Sequence, residues 1–205
     1  SRFNSAATRN SAQQLAQALG ANYAVMPISE SYELTVKQLE ETPITHLADG
    51  SSFNLQLSGL IKENIQARDR GARVIAAASA AFGGAFSCNS NKAELAIGYA
   101  TFYGDICGAM AMIGDLWKHQ VYALGRYLNE VIYKREVIPE AIFNIRPSAE
   151  LSDAQTVGNG GDPLVYAYHD YLLRAFIENW HKTTPADILR WYKAGTLAAE
   201  LSCTQ

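Results

Sequence analysis

The chain has 205 residues, of which 48% are hydrophobic and 18% charged, a balance that fits one globular domain with a real core and excludes a low-complexity or disordered polypeptide. Its formal net charge of −3 gives no electrostatic footprint for nucleic acid, and no apolar run approaches the ~20 residues that cross a bilayer. Three widely spaced cysteines, Cys88, Cys107 and Cys203, argue against a disulfide framework and for a reducing, cytoplasmic compartment.

The first predicted element is a helix over SAATRNSAQQLAQALG. Ser5 or Thr8 caps it, Ala12, Leu15, Ala16 and Leu19 line one face, and Gly20 ends it. The preceding SRFN holds no apolar stretch of the kind a signal peptide needs. NYAVMPI, residues 22–28, predicts a short buried strand, and the polar stretch 40–58 predicts a loop. Residues 59–84 predict a long helix stopped by Gly83 and Gly84, with Ile61, Ile65, Val74, Ile75 and Ala78 inward. Its polar side carries Glu63, Asn64, Gln66, Arg68 and Arg70. GAFSCN, residues 84–89, predicts a second strand, and NKAELAIGYAT opens the next helix. GDLWKHQVYALGRYLNEV predicts a helix capped by Asp115, with Leu116, Val121, Leu124, Leu128 and Val131 inward. A loop over 139–162 holds RPSAEL and runs into a GNGGDP turn, and two further helices cover 162–180 and 184–197. Short apolar strands alternating with helices predict an α/β fold, a parallel sheet with helices on both faces. Such folds place ligands at the carboxyl ends of their strands, so GAFSCN points at NKAELAIGYATFYGDICG, residues 91–108.

Asn89 and Ser90 fall between that strand and the next helix, where side chains and free backbone N–H groups form an anion site. Glu94 lies in the first turn of that helix, favoured by the dipole and placed to hold Mg²⁺ against phosphate oxygens. Lys118, in the first turn of a later helix, opposes the dipole and so suggests a phosphate partner. Each residue taken singly also reads as ordinary: Glu94 as a surface helix stabiliser, Lys118 as a solvated lysine, Arg68 as a salt-bridge partner, Tyr99, Phe102 and Tyr103 as core. The four histidines lack metal-ligand spacing, and no structural zinc is expected.

NKAELAIGYATFYGDICG followed by GDLWKHQVYALGRYLNE resembles the signature of the NAD synthetase family, of the glutamine-dependent type, and KENIQARDRG, RPSAEL with Gln155, and DPLVYAYHDYLLRAFIE resemble further family segments in the same order. The resemblance implies a Rossmann-like, adenine nucleotide alpha hydrolase-like fold and ATP-dependent conversion of nicotinate adenine dinucleotide (deamido-NAD) to NAD. ATP with Mg²⁺ adenylates the nicotinate carboxylate, and ammonia then displaces AMP. By position it implies that Glu94 lies beside Mg²⁺ and the substrate carboxylate, that Lys118, Ser148 and Asn89 contact ATP, and that Asn64 and Arg68 contact deamido-NAD across a homodimer interface formed by the 60–82 helix. Asn89 replaces a threonine common in the family, which weakens its ATP assignment. The smaller ammonia-dependent enzymes carry a lysine at the place of Phe102 and an aspartate near Ala109, and those contacts do not transfer.

The family's Ser-Gly-Gly-x-Asp-Ser pyrophosphatase loop is not among these 205 residues, and GNGGDP follows no predicted strand and does not replace it. The expectation is therefore a partial synthetase domain over 1–205, lacking the first strand and that loop, with a glutaminase domain upstream in a parent protein and little turnover from this chain alone. The main alternative is a non-catalytic deamido-NAD or nucleotide-binding module. A cysteine hydrolase using Cys88 is a weaker alternative, since no glycine-framed elbow surrounds it. A nicotinamide-dependent dehydrogenase is excluded because no GxGxxG follows a strand.

Overall fold

A computed structural model describes residues 3–155 and 161–203. Helices dominate: α1 (Ala6–Leu19), α2 (Ser29–Glu41), α3 (Gly59–Arg68), α4 (Ala76–Ala81), α5 (Lys92–Ile97), α6 (Lys118–Tyr127), α7 (Glu140–Asn144), α8 (Tyr166–Ile177), α9 (Pro185–Ala194) and α10 (Leu197–Leu201). The two named strands, β1 (Ile44–Thr45) and β2 (Ser52–Phe53), form an antiparallel hairpin inside the expected 40–58 loop, with Ile44 opposite Phe53.

The expected parallel sheet is reduced, among the described residues, to single bridges. The one at the expected second strand pairs Ser87 with Met110 in parallel. Cys88 N–H donates to Met110 O at 2.9 Å and Ala109 N–H to Phe86 O at 2.9 Å. This stub, with α5 between its two sides, is what remains of the strand expected at 84–89. The strand expected at 22–28 does not form. Tyr23, Val25 and Met26 are exposed, and no described segment pairs with them. An apolar run becomes a strand only where a neighbour takes its backbone hydrogen bonds.

The first helix follows the sequence at its ends: Ser5 Oγ accepts from Thr8 N–H, and Gly20 closes the helix at φ 64°. Its buried residue is Ser11, not the expected apolar face, and Leu19 is exposed. Helix α2 was not expected, and polar contacts hold it in place. Ser31 Oγ donates to Asp69 Oδ2 at 2.7 Å, an Arg73 guanidinium N–H donates to Ser31 Oγ at 2.7 Å, and Lys62 Nζ lies 3.0 Å from Glu40 Oε1.

The long helix is continuous from α3 to α4 through a π-helical stretch, Asp69–Ile75. Its packed face is not the expected apolar one. Gln66, Ala67 and Gly71 are buried, whereas Leu60, Ile61, Ile75 and Phe82 are exposed. The neighbour that buries this face is the turn at 101–107, and the approach is backbone to backbone. A Cβ at Gly71 would lie 2.0 Å from Gly104 O, and one at Gly104 would lie 2.9 Å from Ala67 Cβ. Small residues one helical turn apart are selected by that contact, not by hydrophobic periodicity.

The start of α6 also departs from expectation. Trp117 is the capping residue, with its N–H donating to Gln120 Oε1 at 2.9 Å, while Asp115 pairs with Lys92 Nζ at 2.8 Å. Leu124 and Val131 are exposed; Gly125 is the buried position, against the Phe143 ring of α7, an element inside the expected 139–162 loop. Trp117, fully buried, forms the core with Ala93 and Tyr166, and Leu164 and Leu173 pack on it. Its indole N–H donates to Glu178 Oε1 at 2.9 Å, which also accepts from Lys92 Nζ at 2.6 Å. The helices expected over 162–180 and 184–197 form as α8 and α9, α9 with a Thr184–Asp187 capping box and Gly195 beyond its end, and the short α10, which was not expected, follows. Residues 158–160 of the GNGGDP turn lie outside the described residues.

Gly71→Ala is expected to destabilise the chain by about 1–3 kcal/mol, because the added methyl must displace a backbone carbonyl. Gly59→Ala, at the first position of α3 with nothing within 4 Å of its Cβ, is expected to be neutral or slightly stabilising. Urea denaturation of both variants checks the pair.

Candidate functional site

A cavity of about 650 Å³ lies between the long helix, the start of α5, the start of α6 and the 148–155 segment. Five residues singled out in the sequence line it: Asn64, Asn89, Glu94, Lys118 and Ser148. They come from four separate segments and share no sequence proximity except Asn89 and Glu94.

Glu94 is held by local folding. Asn91 and Glu94 form a reciprocal capping box: Asn91 Oδ1 accepts from Ala93 N–H at 2.9 Å and Glu94 N–H at 3.2 Å, and Glu94 Oε2 accepts from Asn91 N–H at 3.0 Å. Lys92 N–H donates to Leu116 O at 2.9 Å. These bonds use the backbone donors of residues 91–94 at the start of α5, while Asn89 and Ser90, just before them, both line the cavity. Asn89 itself is exposed and accepts from Ser87 Oγ at 2.8 Å.

The other oxygen of Glu94 faces the cavity's charged centre. Lys118 Nζ lies 3.6 Å from Glu94 Oε1 and 5.0 Å from the centre of the Tyr166 ring. Tyr166 Oη lies 3.0 Å from Asp162 Oδ2 and 3.4 Å from Glu94 Oε1. One hydroxyl has one proton to give, and the shorter contact is to Asp162. Tyr99 O–H donates to Asp162 Oδ1 at 3.2 Å. Burial pushes both phenols well above the ordinary tyrosine range, and the Asp162 carboxylate adds to it. Two tyrosines thus stay neutral and hold a buried carboxylate between them, while Glu94 Oε1 keeps acceptor capacity toward a ligand.

Asn64 Oδ1 accepts from Thr101 Oγ at 2.6 Å, which leaves its amide donors available. Ser148 Oγ accepts from Glu150 N–H at 3.2 Å and donates to Gln155 O, so its hydroxyl is engaged within its own segment. Arg68 is not brought to the cavity: it is exposed, and its Nε–H donates to Phe102 O at 3.2 Å. The 101–107 turn packs on Ala67 and Gly71, leaving Arg68 outside it. Arg70 lines the cavity instead. Cys88 is buried with its thiol donating to Asp105 O at 3.3 Å, and it is not among the residues lining the cavity.

Sequence reading missed Asp162, Tyr99, Tyr166 and Arg70. Asp162 lies in the loop just before α8 and Tyr166 opens that helix, so no helical spacing announced their pairing.

The model of the family described as NAD synthase matches residues 1–194. The chain is 36% identical over 178 residues to the glutamine-dependent NAD(+) synthetase of Thermotoga maritima, covering 87% of this chain and 28% of that protein. It is 36% identical over 190 residues to the corresponding protein of Aquifex aeolicus, covering 93% of this chain and 30% of that one. Less than a third of each relative's length is therefore spanned. Among solved structures, NMN synthetase from Francisella tularensis superposes with a TM-score of 0.66 at 22% identity, over 100% of this chain and 74% of that one. A glutamine-dependent NAD+ synthetase from Acinetobacter baumannii, in complex with ADP, superposes at 0.56 with 25% identity, over 97% of this chain and 32% of that one.

The raised phenols have a pH signature. A group whose folded pKa lies above its unfolded value contributes stability that is complete below the unfolded pKa and lost above it. Folding stability should therefore fall as pH rises past about 10, where tyrosines of the unfolded chain ionise. A phenolate absorbance titration should show at least two of the eleven tyrosines resisting ionisation until the fold is lost. Simple ionisation of all eleven near the ordinary value, with the fold intact, would remove the neutral Tyr99–Asp162–Tyr166 arrangement.

Proposed function

Because the chain belongs to the NAD synthase family, we propose that its cavity is the place where a nucleotide-activated carboxylate is amidated, converting deamido-NAD to NAD with ATP and ammonia. The observation that carries this is the convergence of Asn64, Asn89, Glu94, Lys118 and Ser148 on one cavity. Each stands at a position that the sequence motifs mark.

The chemistry needs little from the protein beyond positioning and charge. A carboxylate is a poor acyl donor. Its oxygen attacks the α-phosphorus of ATP, pyrophosphate leaves, and the resulting acyl adenylate has AMP as a good leaving group. Ammonia attacks the carbonyl carbon, the C–O bond to AMP breaks, and the nitrogen sheds a proton. Lys118 supplies a fixed positive charge where phosphate charge shifts, and the rings of Tyr122 and Tyr166, 5.9 and 5.0 Å away, hold it without neutralising it. Asn64 and Arg70 would offer donors to the second nucleotide, and Arg68, exposed on the same helix, would serve a ligand shared with a partner subunit.

Among the described residues no group of three or more acidic, histidine or cysteine side chains is disposed to hold a metal. Glu94, which lines the cavity, is the carboxylate that would hold Mg²⁺ against nucleotide phosphates. There it would neutralise phosphate charge. The exposed Ile61 and Phe82 on the long helix, outside the cavity lining, support a homodimer through this helix. No described helix is long and apolar enough to cross a membrane. A glutaminase partner domain and a Ser-Gly-Gly-x-Asp-Ser loop, as the resemblance implies, would supply ammonia and grip the pyrophosphate.

The test is NAD formation from deamido-NAD, ATP, Mg²⁺ and ammonium, with deamido-NAD binding measured beside it and a full-length glutamine-dependent relative as control. The chain alone is expected to bind deamido-NAD and to turn over far more slowly than the relative. Where turnover is measurable, Glu94→Ala and Lys118→Ala should each lower kcat by about 10²–10³-fold. Arg70→Ala should weaken deamido-NAD binding to the monomer more than Arg68→Ala. Binding without any turnover, even when the missing loop is supplied on a longer chain, favours the non-catalytic module; no binding of either nucleotide overturns the reading.

A further inference from the structure

Glu150 is a buried carboxylate, 3% exposed, in a left-handed backbone conformation with φ 48°. A glutamate adopts that conformation only where its surroundings impose it. The surroundings are the first turn of α1, about 145 residues earlier in the chain. Glu150 Oε2 accepts from Asn4 Nδ2 at 3.0 Å, and Glu150 Oε1 accepts from Ser5 N–H at 3.1 Å and Thr8 Oγ–H at 3.2 Å. Burial pushes this carboxyl up, but the donors from Asn4, Ser5 and Thr8 outweigh burial and hold it below the usual range, so it stays ionised at the positive end of α1.

The same residue's N–H donates to Ser148 Oγ, and Ser148 in turn donates to Gln155 O. The far side of the segment hangs on the long helix: Gln66 Nε2 donates to Leu151 O at 2.7 Å and Gln155 Nε2 to Glu63 Oε2 at 3.2 Å. Ser148, Ala149, Leu151 and Gln155 all line the cavity. One cavity wall is thus a strap tied at one end to α3 and at the other, through one carboxylate, to the start of α1.

We propose that Glu150 is a positioning residue that sets Ser148 against the nucleotide by anchoring the 148–155 strap to the first turn of α1. The strap and the N-terminus of α1 then order as a unit, and whatever displaces the start of α1 displaces the nucleotide wall. The nucleotide part of this inference rests on the function proposed above; the mechanical part does not.

Hydrogen exchange on the 205-residue chain separates the two. In Glu150→Ala, exchange should accelerate together in residues 146–155 and in the first turn of α1, while α8 and α9 stay protected. The double change Asn4→Ala, Thr8→Val, made at the other end of the tie, should loosen 146–155 in the same way. Glu150→Gln keeps one acceptor and should restore part of the protection; it also serves if the alanine variant does not fold. Faster exchange at one end only, in every variant, overturns the anchor. In nucleotide binding, Glu150→Ala should weaken ATP about tenfold, matching Ser148→Ala, and leave deamido-NAD affinity unchanged. Coupled exchange with ATP affinity unmoved by either variant would keep the strap and remove Ser148 from the nucleotide site; equal losses for both nucleotides would mark Glu150 as structural only.

Discussion

The close approach of Gly71 to Gly104 is the constraint on which the rest of the molecule turns. With no side chain on either residue, the long helix and the 101–107 turn meet through their backbones, and a single methyl on either would not fit. That contact makes the floor between α3 and α5, and it divides the helix surface in two. Asn64 and Arg70 stay on the cavity side, and Arg68 is sent outward to Phe102 O. The π-helical stretch begins at Asp69, two residues before the contact, where the helix must turn its small residues toward the loop without breaking its hydrogen-bond ladder. Within that stretch Asp69 and Arg73 both bond Ser31, which fastens α2.

A second layer of organisation is polar. Trp117, Lys92, Asp115 and Glu178 tie the starts of α5 and α6 to the end of α8, so Glu94 and Lys118 sit on a rigid frame. On that frame the phenols of Tyr99 and Tyr166 bond the two oxygens of Asp162, which helps a carboxylate lie buried near Glu94. Lys118 therefore answers to Glu94 and to two aromatic faces. A lysine so placed is ordered yet not fully paired, the condition under which a phosphate gains most by arriving.

The sequence made local features legible and long-range ones opaque, for identifiable reasons. Ser5, Gly20 and Gly83 announce helix ends because capping is a contract between residues a few positions apart. Glu94 in the first turn of its helix and Lys118 at the start of the next were visible for the same reason. Apolar faces failed where burial was decided by a distant neighbour: Ile61 and Ile75 looked inward by period, but the neighbour that arrived needed Ala67 and Gly71. The strand at 22–28 failed because a strand is half of a pair, and no described segment supplies the other half. Helix α2 escaped because its attachment is hydroxyl to carboxylate to guanidinium, which has no periodicity. Glu150 was invisible as an anchor, since nothing at positions 146–151 states that residues 4–8 will stand beside it.

The faces left uncovered on the long helix and along residues 23–26 have a calorimetric meaning. The accessible surface is 13,229 Å² for a chain of 22.4 kDa, against about 9,400 Å² for a compact monomer of that mass. Apolar area that already faces water in the folded state is not newly hydrated on unfolding, and newly hydrated apolar area is what generates the heat-capacity increment. The chain by itself is therefore expected to show a shallow dependence of stability on temperature and a low denaturant slope for its length. Each surface that becomes covered by another polypeptide deepens both, so the curvature of the stability curve is a gauge of how much of this molecule is dressed for company.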